Sequence, residues 1–164
     1  LIFMLISCFG YKNEFGVLKI DAPKGSTFKD EVMENGVHFY SIKWKLKNEM
    51  TSVFSISKWP NEMSTSEMAP SVKEIIEDTF AVTKAQGKSK IEDDTKIQYS
   101  EISEEFVSGN VAYFEHTSER GYQRILSVHM VSDGDVIWQG LFSGSKELFK
   151  EAMNIFKTME PMNE

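Results

Sequence analysis

The stretch YQRILSVHMVSDGDVIWQGLF, Tyr122 to Phe142, decides the expected fold. Asp133-Gly134 is a strong hairpin signal between runs rich in β-branched and aromatic residues, and it predicts strands over Tyr122–Val131 and Val136–Phe142. With Asp133-Gly134 as the loop itself, Val131 opposes Val136 and His129 opposes Trp138. One face then carries Ile125, His129, Val131, Trp138 and Phe142, and the other carries Leu126, Val128, Met130, Ile137 and Leu141. Both faces are largely apolar, so neither can be left to water and the sheet needs cover on two sides. The expectation is an α+β domain whose antiparallel sheet is flanked by helices on both faces, an α/β/α sandwich.

The surrounding sequence supplies the other elements. Ile97–Ser103 and Asn110–Ser118 read as strands preceding the hairpin, with turns at Ser108-Gly109-Asn110 and Arg120-Gly121. Upstream, Ser71 and Glu74 have capping-box spacing, Val72, Ile75, Ile76, Thr79 and Val82 form a helical stripe, and Gly87 ends it. Lys88 to Asp94 reads as a polar loop. Downstream, a helix starts near Ser145 and buries Leu148, Phe149, Ala152, Met153, Phe156 and Met159. His38–Leu46 and Thr51–Trp59 alternate as strands, and Phe15–Ile20 is a first strand ending in the turn Asp21-Ala22-Pro23-Lys24-Gly25. No repeat or linker divides the chain, so residues 15–164 form one domain.

The 164 residues are 41% hydrophobic and 26% charged, an ordinary globular mixture. The net charge of -7 repels phosphate backbones, which argues against a nucleic-acid partner. Leu1-Ile2-Phe3-Met4-Leu5-Ile6-Ser7 precedes the single cysteine, Cys8. An apolar run this short fits the end of a signal peptide and not a membrane span. Leu5-Ile6-Ser7-Cys8 resembles the bacterial lipobox: small Ser7 admits the peptidase, and the Cys8 thiol accepts the lipid. Residues 1–7 are thus expected to be the truncated end of a lipoprotein signal peptide and residues 8–14 a tether. The expected location is the bacterial cell envelope, anchored to a membrane through lipid on Cys8 and facing the periplasm.

Phe15-Gly16-Val17-Leu18-Lys19-Ile20-Asp21-Ala22-Pro23-Lys24-Gly25, Gly109-Asn110-Val111-Ala112-Tyr113-Phe114, and Phe149 with Phe156-Lys157-Thr158-Met159 carry a resemblance. With the order of elements, they resemble the PsbP/Mog-like fold, including the DcrB-like bacterial lipoproteins. The resemblance covers most of Phe15 to Met159, although Lys24 to Gly36 is not clearly matched. It implies a non-enzymatic accessory or adaptor role, with no catalytic motif to carry over.

The residues themselves offer no catalytic constellation. Gly87-Lys88-Ser89 follows a helix instead of preceding one and lacks the first glycine of a phosphate loop. Ser143 lies one place off a nucleophile elbow. His38, His116 and His129 show no metal-ligand spacing. In the expected pairing His129 faces Ala112, so His116 and His129 share a face but lie roughly 13 Å apart. Asp93-Asp94 and Glu104-Glu105 read as solvated surface. No metal or cofactor is expected. The candidate contact residues are aromatic: Trp44 and Trp59 as a docking patch, and His129 beside Trp138 as the wall of a small pocket. The expected function is a lipid-anchored envelope adaptor that binds another protein without catalysis, and the alternative is a carrier or sensor of a small apolar ligand near Trp138.

Overall fold

The computed structural model describes residues 11–15, 18–22, 24–32, 37–45, 50–60, 65–134, 136–158 and 160–161. The expectations for Leu1–Ser7, Cys8 and the buried Met159 lie outside the described residues. A small sheet is formed by β1 (Tyr11–Phe15), β2 (Leu18–Ala22) and β11 (Glu160–Pro161), in the order β1-β2-β11. The main sheet joins β3 (Thr27–Val32), β4 (His38–Trp44), β5 (Ser52–Pro60), β6 (Ser89–Lys90), β7 (Gln98–Ser103), β8 (Ser108–Ser118), β9 (Gln123–Ser132) and β10 (Val136–Ser145). Its order is β3-β4-β5-β10-β9-β8-β6, and β7 also pairs with β8. Helix α1 (Thr65–Gln86) precedes β6, and α2 (Phe149–Lys157) follows a 3-10 turn over Lys146–Leu148.

The α/β/α sandwich is not what these residues build. Antiparallel strands predominate, and the main sheet curls into a half-barrel. Tyr40, Ile42 and Trp44, near one end of the sheet, share a single cluster with Ile102, Val107 and Val111 from the other end. Curvature brings those ends over the same interior, where Leu148, Ala152, Ile155 and Phe156 fill the remaining space. The apolar second face therefore finds much of its cover in the sheet itself. Helix α1 packs across β8 and β9, where Val72 and Ile76 meet Ala112, Phe114, Val128, Met130 and Ile137.

Several local expectations also change. The first strand is a hairpin of β1 and β2, with Lys19 paired to Glu14. Helix α1 starts well before Ser71, whose hydroxyl donates back to the Glu67 carbonyl at 3.4 Å in place of capping. Val82 is exposed, and Phe80 takes the inward role by packing edge-on against Phe114, 5.0 Å between ring centroids. Ile155, absent from the expected stripe of α2, is fully buried. Ser145 does cap the final helical segment, its hydroxyl accepting from the Glu147 N–H at 3.3 Å.

The β9–β10 pairing is Val131 with Trp138 and His129 with Gly140, two residues from the expected register. The loop is displaced accordingly. Gly134 has φ 106°, Asp133 Oδ1 accepts from the Val136 N–H at 2.9 Å, and Ser132 Oγ accepts from the Gly134 N–H at 3.0 Å. Asp133 thus closes the turn with its side chain. Asp133→Ala is expected to cost about 1 kcal/mol, read as a lower urea midpoint at unchanged slope.

Candidate functional site

His129 is fully buried, between the rings of Phe54 (5.4 Å) and Phe156 (5.0 Å). Its Nε2 shares a 2.7 Å hydrogen bond with Ser127 Oγ, and its Nδ1 has no partner among the described residues. Burial holds its pKa down to about 3, so the ring is neutral near neutral pH. A serine hydroxyl on a histidine nitrogen is the contact a nucleophile and its base make. Here both residues have 0% exposure, so no substrate meets the pair in this conformation.

Trp138 lies in the same interior, 1% exposed, with Lys58 Nζ 5.7 Å from its ring centroid. The space around His129 is occupied: a Cβ built on its cross-strand neighbour Gly140 would sit 2.5 Å from Phe156 Cε2 and 2.9 Å from Phe54 Cζ. Trp44 is buried against Phe142, centroids 5.9 Å apart, which places it in the core and not on a docking patch. Trp59 pairs through its backbone with Ile137, and its side chain lies outside the described residues. The structure therefore brings Trp44, Trp138 and His129 into one cluster, but as interior packing.

His116 faces the opposite way from His129. In the observed register His129 pairs with Val111 and His116 with Arg124, one residue from the expected pairing. A one-residue slip exchanges faces, so His116 joins Phe114 on the α1 side. Burial, then the nearby Arg124 charge, lowers its pKa. Among the described residues no group of three or more His, Cys, Asp or Glu side chains is placed to hold a metal ion.

An open feature of the described surface lies elsewhere. A groove of about 330 Å³ runs between α1 and β7, lined by Val72, Tyr99, Ser100, Glu101, Asn110 and Val111. Tyr99 is 52% exposed, and its hydroxyl reaches Glu77 Oε1 of α1 at 3.4 Å. Partial burial and then the Glu77 charge raise the Tyr99 pKa. Lys73 lies 3.9 Å from the same carboxylate, a solvent-exposed pair of small energetic weight. The groove thus offers an aromatic face, an apolar floor and carboxylates at its rim. The sequence gives little sign of it, because β7 reads as a mostly polar strand and its partners on α1 lie more than twenty residues away.

No family model matches the chain, and no curated protein matches it. Among solved structures it is similar to a protein from Bacteroides thetaiotaomicron VPI-5482, at 12% identity and a TM-score of 0.48. The match covers 90% of this chain and 46% of that one, so the chain spans about half the length of that protein. No described helix is long and apolar enough to cross a membrane.

Proposed function

We propose that this chain is an accessory protein of a bacterial envelope that binds another protein without catalysing a reaction, tethered to the membrane by lipid on Cys8. The observation supporting a binding role is the groove beside Tyr99. It is open, built on a helix and a strand, and combines an exposed ring with hydrogen-bonding groups and apolar surface, as protein-docking sites do. The carrier reading has weaker support, since the rings of Phe54 and Phe156 stand where a guest beside His129 would lie.

The test is cross-linking and pull-down of the membrane-anchored protein, with Cys8→Ala as the control. One partner recovered in near-equal amount, and lost in the control, is the expected result. Failure to recover any partner under gentle detergent overturns the binding role. Mass spectrometry of the membrane fraction should find acyl chains on Cys8, and a free thiol there removes the tether from the proposal.

A further inference from the structure

The main sheet ends in β3 on one side, and its other side is bounded by β6 and β7, both paired to β8. Open edges recruit other strands unless they are guarded. Strand β3 carries Lys29, Asp30 and Glu31 in succession, with Lys29 and Glu31 paired at 2.5 Å. Charges of both signs on so short an edge discourage an incoming strand. Strand β7, Gln98-Tyr99-Ser100-Glu101-Ile102-Ser103, has one charge, no proline and one buried residue, Ile102.

The direction of its backbone groups follows from the turn that joins it to β8. Glu104 N–H donates to the Val107 carbonyl at 2.9 Å, so that pair is hydrogen-bonded. The same register continues through Ser103–Ser108, Glu101–Asn110 and Tyr99–Ala112. Hydrogen-bonded and non-bonded pairs alternate in an antiparallel ladder. The N–H and C=O groups of Tyr99, Glu101 and Ser103 therefore point away from β8, and no backbone partner for them lies among the described residues. Tyr99 and Glu101 pair with Ala112 and Asn110, which puts their side chains on the α1 side, beside the groove.

Resting on the binding role proposed above, we infer that β7 is the docking edge, and that its partner is an extended segment of another protein with basic residues at alternate positions. The partner's backbone pairs with Tyr99, Glu101 and Ser103. Its groove-side residues run along the Tyr99 ring, which accepts the aliphatic stem of a lysine or arginine, and place the cationic end near Glu101 and Glu77. The charge of the chain, -7, favours the same partner and opposes a second copy, whose own Glu101 would approach this one.

The experiment uses the full chain, isotope-labelled, titrated with a capped peptide of about ten residues alternating lysine and valine, and with its glutamate–valine counterpart. The lysine peptide should shift the amides of Tyr99, Glu101 and Ser103, slow their hydrogen exchange, and bind at least about tenfold more tightly than the glutamate peptide. Glu101→Pro removes an outward N–H and leaves the bonds to β8 in place, so the fold should persist while affinity falls about tenfold or more. Should that variant fail to fold, Glu101→Lys still decides, because it should reverse the preference between the two peptides. Shifts confined to β3, an unchanged affinity in Glu101→Pro, or concentration-dependent self-pairing through β7 would each overturn the inference. If the pull-down recovers a partner that Glu101→Pro and Glu101→Lys both retain, the binding role stands and the docking edge is wrong. If no partner is recovered, the binding role itself falls.

Discussion

Between pH 6.5 and 4.5 the folded protein is expected to lose about 2–3 kcal/mol of stability through His129 alone, and a His129→Leu variant should lack that part of the loss. The sign follows from where the proton can go. In the unfolded chain the imidazole titrates near its ordinary value of 6.5, whereas burial lowers the folded value to about 3. Across that interval the unfolded state binds the additional proton, so acid favours unfolding, and the effect is complete as pH falls through about 3. Among the described residues no charged side chain stabilises an imidazolium there: the ring meets Phe54, Phe156 and the Ser127 hydroxyl. His116 shifts in the same direction, and its contribution remains in both proteins, so the difference between them isolates His129. The measurement is urea unfolding of both proteins at pH 7 and pH 4.5. Equal losses in the two would mean that His129 is not held neutral by burial. At pH 7 the variant itself should be less stable by about 1–2 kcal/mol, since the buried Ser127 hydroxyl loses its partner.

The same residue shows what the sequence could convey. Alternation assigned Ile125, His129, Val131, Trp138 and Phe142 to one face, and they do share it, because the expected β9–β10 register was wrong by two residues and an even slip preserves faces. Between β8 and β9 the slip was odd, and His116 went to the wrong side. Alternation also showed that both faces must be dry without showing what dries them. A helix layer and a sheet curling over itself satisfy the same pattern, and curvature leaves no mark in an apolar–polar string. Helix α1 begins earlier than expected because the capping-box spacing of Ser71 and Glu74 falls inside it, while the helix itself starts at Thr65. Strands β3, β6 and β11 are short or polar, without the apolar periodicity that would reveal them. The groove at Tyr99 is hidden for a related reason: its aromatic ring comes from a polar edge strand, and the carboxylate that meets the ring's hydroxyl comes from a distant helix. The tryptophans were conspicuous in the sequence, yet Trp44 and Trp138 are conspicuous because they fill the interior.

Replacing Gly109 with alanine should be the more damaging of two glycine substitutions, by a margin that sequence reading would not anticipate. Ser108-Gly109-Asn110 looks like a turn, where an added methyl group is tolerable. The turn instead passes through Glu105 and Phe106, and Gly109 lies inside β8, opposite Val131. A Cβ there would overlap the Met130 carbonyl oxygen and stand 2.7 Å from Val131 Cα and 2.8 Å from Met130 C. All three are backbone atoms of β9, a strand held on both sides and lined by the fully buried Val128, His129 and Val131. No side chain can rotate away, so relief requires separating β8 from β9 and giving up ladder hydrogen bonds. Such overpacking against fixed backbone is expected to cost about 3 kcal/mol or more. Gly121→Ala makes the comparison: its φ of 81° strains any other residue, but a Cβ there meets nothing within 4 Å, and the cost should be about 1 kcal/mol. Urea midpoints of the two variants at equal slope decide the matter. Equal costs would mean that β8 can yield at Gly109, and that the close approach of the Met130 carbonyl is not what the glycine is there to permit.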